Sequence, residues 1–304
     1  MSRYALRLSD EDVLSALGSV DPIAPVAADL AGGTGAAERF VSVAAELRFT
    51  CPDTGLDCLF PAAALSAIHT AALAALAATH LTPRGVRTAA LFAPTAVEAT
   101  HLTVLVRHVS HISHLAVHRA ADAGAPYDAD LLDEFELAGT GLSTTPDARR
   151  AASGATLLVL AERADELRLG WPHRGLLLVN ASGQDLPDAV LDAVDQAYVD
   201  DMRLLAENGH RAVVRGHLSG PTADPIRQAE GWHRHQQHWR TLRRIDADLR
   251  QVLAGTHPGR SHADDVLLVE LLGTAAVGPR LAATLCRAAL ELGLGTRVPQ
   301  DLSK

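Results

Sequence analysis

Lysine is almost missing from this chain: Lys304 is the only one, and arginine carries every other fixed positive charge. No lysine can therefore serve as a base or imine-former inside the fold. Aromatic residues are only 4% of the sequence, so alanine and leucine must build the core, a bias that favours helices. Excess positive charge is lacking too: the net charge is -9 and the pI is near 5.9, which excludes general binding to nucleic acid. Three cysteines are too few for a disulfide framework. Cys51 and Cys58 flank Pro52-Asp53-Thr54-Gly55 and are expected as neighbouring reduced thiols in a hairpin. No run is expected to span a membrane, and the start Met1-Ser2-Arg3-Tyr4 has no apolar leader, so the chain is expected in the cytoplasm.

What is present alternates between strand and helix. Ser9 caps a helix whose first turn is acidic, and Ala24–Leu30 gives a second, short helix ended by Gly32-Gly33. Ala44–Phe60 reads as a hairpin, and Ala62–His80 as a helix with almost no polar face. Val86–Phe92, His114–His118, Leu157–Leu160 and Leu176–Asn180 are apolar strands with helices between them. That spacing indicates βαβ units and a parallel sheet. Pro187–Asn208, Pro225–Leu253 and Val266–Leu292 are expected as helices, the last broken at Gly278-Pro279. The expected fold is α/β: a Rossmann-like doubly wound sheet over 85–261, plus a truncated α+β dimerisation domain formed by both chain ends, 1–84 and 262–304. The apolar Ala62–Ala78 and Val266–Leu292 segments predict a homodimer.

Several stretches, in order, resemble the ornithine cyclodeaminase/mu-crystallin family. Leu8-Ser9-Asp10-Glu11-Asp12-Val13 is similar to its opening helix, and Leu65–Ala72 to its "T-x-x-R-T-A-A" helix. Val179-Asn180-Ala181-Ser182-Gly183-Gln184-Asp185 is similar to its "V-N-A-x-G-x-D" strand end. Ala254-Gly255 to Ser261, Gly273 and Glu291–Thr296 follow its C-terminal pattern. The resemblance implies a homodimer, an NAD(P)-binding central domain, and chemistry at an imine or amine carbon.

The residues that such chemistry needs are changed. The family's Gly-x-Gly-x-x-Ala-type turn is Ala93-Pro94-Thr95-Ala96-Val97-Glu98 here. Ala93 and Thr95 replace glycines and Pro94 lacks an N–H. Thr95 with Glu98 forms an expected capping box, which would satisfy the amides and set a carboxylate against an anion. His69 replaces the arginine that the resemblance assigns to the substrate carboxylate. Asp185 matches the family aspartate, but Ala189 stands where its lysine would be, and Asp185 is expected to cap the helix after Pro187. The 30–44 segment is much shorter than the family's. These residues predict no catalytic residue and no cofactor, with His69 and Asp185 as vestiges of the family site.

His108, His111, His114 and His118, and separately His233, His235 and His238, invite a metal, but they lack well-placed companions, and no metal is expected. A helix from Arg227 to Arg250 concentrates Trp232, Arg234, Trp239, Arg240, Arg243 and Arg244. Degenerate relatives of the family occur beside enzymes that modify ribosomally made peptides. The resemblance thus implies a non-catalytic partner that binds a precursor peptide and acts with biosynthetic enzymes. The peptide would add to an edge at Glu46–Phe60, with Arg48 and Thr50 as contacts. The alternatives are an NAD(P)-dependent imine reductase or cyclodeaminase-like enzyme with a rebuilt active site, and a small-molecule binder.

Overall fold

The computed structural model describes residues 4–32, 40–43, 45–52, 54–82, 88–120, 127–163, 173–219, 244–273 and 277–299. Two sheets organise them. The larger has eight parallel strands in the order β11-β10-β12-β9-β8-β5-β6-β7. Its strands are β5 (Thr88–Phe92), β6 (His114–His118), β7 (Gly141–Thr145), β8 (Leu157–Leu160), β9 (Leu177–Asn180), β10 (Gln196–Val199), β11 (Ala247–Asp248) and β12 (Leu267–Glu270). The chain runs outward from β5 through β6 to β7, then crosses back to β8 on the other side of β5. The order thus reverses at the carboxyl ends of β5 and β8, the place where open parallel sheets bind ligands.

The smaller sheet has the order β13-β1-β4-β3-β2. It joins β1 (Tyr4–Arg7), β2 (Phe40–Val43), β3 (Glu46–Thr50) and β4 (Asp57–Pro61) to β13 (Thr296–Pro299) from the far end of the sequence. The β3–β4 hairpin forms where the Asp-Thr-Gly turn predicts it. It is not an edge, however: β2 pairs along β3 from Phe40↔Phe49 to Val43↔Glu46. The strands of this sheet that are free on one side among the described residues are therefore β2 and β13, not the Glu46–Phe60 hairpin.

Helix α3 (Ala62–Leu81) lies between the two sheets, against α2 (Ile23–Gly32) and α4 (Thr95–His108). By length and composition it could cross a bilayer, contrary to the expectation that no segment could. Leu65, Ile68, Leu73 and Leu81 are all buried. Its all-round apolar character is thus satisfied within one chain, and no partner copy is needed to explain it. The capping of α1 (Asp10–Gly18) is as the sequence predicts. Ser9 Oγ accepts from the Asp12 amide at 3.1 Å and the Asp12 carboxylate accepts from the Ser9 amide at 2.8 Å.

Three expected helices are corrected. Within Pro187–Asn208 only α7 (Asp188–Leu191) is α-helical, and β10 follows. Leu267–Glu270 is a strand buried on both faces, and its continuous apolar run carries no strand period; only α10 (Pro279–Glu291) beyond it is helical. Residues 244–246 have no regular structure rather than a helix, and β11 leads from them into α9 (Leu249–Leu253), capped by Asp248. The expected pair of reduced thiols is also corrected: Cys58 is bonded to Cys286 on α10, and Cys51 is the free, buried thiol.

Candidate functional site

The strand reversal lies where β5 ends. Ala161 N–H donates to Phe92 O at 2.7 Å, closing β8 onto β5, and the chain then turns through Ala93 and Pro94 into α4. Thr95 is the first helical residue rather than the cap; Pro94 takes the cap position and offers no side-chain hydrogen bond. The expected Thr95/Glu98 capping box does not form, so the first-turn amides at Thr95 and Ala96 are not covered from within. Pro94, Thr95 and Ala96 are exposed.

Glu98 does not face that helix end. It is buried at 2% exposure, with the Arg119 guanidinium Nε 3.7 Å from its carboxylate. Burial pushes its carboxyl above the usual value, against the Tyr127 hydroxyl and Arg119, which pull it down. Arg119 also lies 5.0 Å above the Tyr127 ring. One residue earlier, His118 stacks on Phe92 at 4.7 Å and its Nδ1 is 3.8 Å from Glu162. The expected repulsion of an anion by Glu98 is therefore not the geometry found, since its carboxyl is buried beside Arg119 and away from the helix end.

A dinucleotide would need its pyrophosphate against a glycine-lined turn and its ribose at the end of the second strand, β6. Here side-chain carbons line the turn, and at the β6 end Arg119 lies beside Glu98 and Tyr127 while His118 stacks on Phe92. The residues present do not fit the group as the family's turn fits it.

A second cluster lies at the carboxyl ends of β9 and β12, where Asn180 and Glu270 stand in register. Both are buried, as is Arg211. Arg211 forms an ion pair with Glu270, donates to Gln184 O at 2.8 Å, and reaches Asp185 at 3.4 Å. Asn180 Nδ2 donates to Glu270 at 2.9 Å. Burial pushes the Glu270 carboxyl up to about 8 although Arg211 opposes it. Nearby, the buried Asp200 carboxylate accepts from the Leu272 and Gly273 amides at 2.9 and 2.7 Å, and burial raises it to about 6.

Asp185 caps a helix, but not the expected one. Its carboxylate accepts from Ala212 N–H at 2.8 Å, at the start of α8 (Ala212–Ser219), and also pairs with Arg215 at 3.5 Å. Asp185 is thus engaged by arginines, with Ala189 where the family's lysine would be.

His69 is buried on α3, and burial alone drives it down to about 4, so it is neutral at pH 7. A neutral imidazole cannot provide the charged fork a carboxylate prefers. The other expected site residues are scattered. Arg48 is half-buried on β3, opposite Val41 and Leu59, and Thr50 donates to Asp57 at 2.6 Å. Arg244 is exposed. Trp232, Arg234, Trp239, Arg240 and Arg243 lie outside the described residues, as do His233, His235 and His238. The other histidines go separate ways, His108 to Asp21, His111 to Thr82 and His114 to Ser143. No group of metal-ligating side chains occurs among the described residues.

Sequence reasoning missed Arg119, Tyr127, Arg211 and Glu270. A signal existed for the last: like Asn180, Glu270 is a lone polar residue closing an apolar four-residue run, the mark of a strand delivering a side chain to the carboxyl edge of a parallel sheet.

Solved structures of similar fold follow the whole chain. CmnK is 20% identical with a TM-score of 0.68, covering 99% of this chain and 100% of its own. A Thermococcus litoralis Δ1-pyrroline-2-carboxylate reductase, solved with NADH and L-proline, is 16% identical with a TM-score of 0.65, covering 96% of this chain and 100% of its own. A lysine cyclodeaminase that recognises L-lysine, L-ornithine and L-2,4-diaminobutyric acid is 16% identical with a TM-score of 0.59, covering 99% and 96%. No curated protein shows a sequence match. The family model for ornithine cyclodeaminase/mu-crystallin matches residues 38–285, most of the chain. On that match, joined to the fold and the position of Asp185, this chain belongs to the ornithine cyclodeaminase/mu-crystallin family.

Proposed function

We propose that this chain is a non-catalytic member of its family that binds an extended peptide, the precursor of a ribosomally made and modified natural product, in support of the enzymes that modify it. One observation carries the loss of chemistry. The family aspartate, Asp185, is tied to Arg211, Arg215 and the α8 amide, in a chain with no lysine before Lys304. The edge of β2 supports the peptide. Its Val41 is 56% exposed and stands opposite Arg48, so an added strand would lie within reach of a guanidinium. The arginines Arg234, Arg240, Arg243 and Arg244 would add attraction for acidic side chains, and the working form would be a homodimer.

The test is affinity for the precursor peptide encoded beside this gene, at low and high salt. Strand addition gives a shallow salt dependence, whereas arginine-led binding weakens steeply as salt rises. Along an edge strand alternate N–H groups point outward, so proline at Val41 or at Ser42 removes one of them. One of these two variants should weaken binding at least about tenfold, a loss of about 1.4 kcal/mol. Absence of binding to any such peptide overturns the proposal.

A second reading is favoured by one observation, the uncovered amides at the exposed start of α4. A phosphate could rest there, as in an NAD(P)-dependent imine reductase or cyclodeaminase-like enzyme with a rebuilt site. A micromolar dissociation constant for NADH or NADPH, about -8 kcal/mol, selects this reading over the first.

A further inference from the structure

The chain has three cysteines, Cys51 and Cys58 on either side of one turn and Cys286 far along the sequence, and the fold carries all three into one apolar core. Each is fully buried. Cys58 lies on the inward face of β4, opposite Phe49, and is bonded to Cys286 on α10, 228 positions away in sequence, with 6.4 Å between their Cα atoms. Cys51 follows β3 directly. Its N–H donates to Leu56 O at 2.8 Å and its carbonyl accepts from Gly55 N–H at 2.9 Å, which fixes the turn.

The register then decides where the free thiol points. Phe49 pairs with Cys58 and Thr50 with Asp57, so Cys51 continues the inward row of Leu47 and Phe49. It is the diagonal neighbour of Cys58 on the same face. Diagonal positions on paired antiparallel strands have Cα atoms about 7–8 Å apart and side chains closer still. A disulfide needs about 4.4–6.8 Å between Cα atoms, so a small shift of the turn suffices. Nothing in the proposed function uses these three sulfurs.

We infer that Cys51, Cys58 and Cys286 form an internal thiol–disulfide relay that locks α10 to the small sheet or releases it. In the exchange, the Cys51 thiolate attacks the Cys58 sulfur. A Cys51–Cys58 bond forms, the Cys58–Cys286 bond breaks, and Cys286 leaves as a thiolate that takes up the proton Cys51 gave. No oxidant or reductant is consumed. Before exchange, β4 and α10 are one covalent unit; afterwards the bridge lies within the hairpin, and α10 is held to α1 and α2 without a covalent link, by packing and by Arg280, whose N–H donates to Asp29 at 3.1 Å.

The test maps disulfides in the full chain. Oxidised protein is treated briefly with dithiothreitol, quenched in acid, alkylated and digested. The relay predicts a species with Cys51 bonded to Cys58 and Cys286 alkylated, lost completely in the Cys51→Ser variant. Amide exchange in α10 should be faster in that species than in the native one. A wild-type chain that passes only from the native bridge to three free thiols overturns the inference. A second arm is the Cys286→Ser chain oxidised with glutathione disulfide, which should form the Cys51–Cys58 bridge within one molecule. Persistence of two free thiols there overturns it as well. If that variant does not fold, the wild-type mapping decides alone.

Discussion

Replacing Glu270 by glutamine isolates one titration in the core. The Glu270 carboxyl is raised from 4.5 to about 8 by burial. Between those values the folded chain holds a proton there that the unfolded chain has lost, so stability falls as pH rises. A single proton contributes about 1.4 kcal/mol per pH unit. Glutamine has nearly the same shape, can still accept from Asn180, and does not titrate. The difference in unfolding free energy between wild type and Glu270→Gln should therefore change by about 1.4 kcal/mol for each unit between about pH 5.5 and 7.5. The wild type should weaken relative to the variant as pH rises. Asp200, raised to about 6, and Glu98 titrate in both proteins and cancel in the difference. Urea unfolding followed by circular dichroism at a series of pH values measures it, provided the denaturant slope is the same in both. A difference that stays constant across the range refutes the reasoning: Arg211 would then be holding Glu270 ionised throughout, and attraction would outweigh burial.

Other outcomes follow from simpler features. Leu73 is fully buried in α3 between the sheets, and Leu73→Ala should cost about 2–5 kcal/mol in chemical denaturation. Ser9→Ala removes the cap of α1 and should cost about 1 kcal/mol by the same measurement. Ornithine incubated with the protein should yield no proline above the uncatalysed background, because Asp185 is engaged and the chain offers no lysine beside it; proline above background would contradict this. Light scattering should give twice the 32.0 kDa mass of one chain at micromolar concentration, and a monomer mass would refute the homodimer.

The parallel sheet was legible because His114–His118 and Leu157–Leu160 are short apolar runs bounded by polar residues, with helical stretches between. The same rule failed at Leu267–Glu270, where a strand buried on both faces has no alternation and merges with the helix that follows. It failed at Gln196–Val199 for a related reason, since the flanking helical pattern absorbed a strand of only four residues. Of the site, the lost glycines and the missing lysine were visible because each is an identity at a known place in a motif. The partners of Glu98 and Asp185 were not, because Arg119 and Arg211 reach them through the fold from distant stretches of sequence. Local rules assigned both carboxylates to caps nearby: Glu98 turned instead to Arg119 and Tyr127, and Asp185 to Arg211, Arg215 and a different helix.

The small sheet also sets an order of events during synthesis. Strand β13 is made nearly 300 residues after the strand it flanks, β1, with Tyr4 opposite Pro299. A ribosome releasing the chain would deliver every strand of the parallel sheet while the small sheet still lacked its last strand and its covering helix α10. The small sheet, with only α1, α2 and α3 made near it, would wait without β13 and α10 through the synthesis of most of the protein. Truncation before residue 279 should therefore leave the larger sheet with its strands complete and the smaller one with a sticky surface, the condition under which a nascent chain most needs a chaperone.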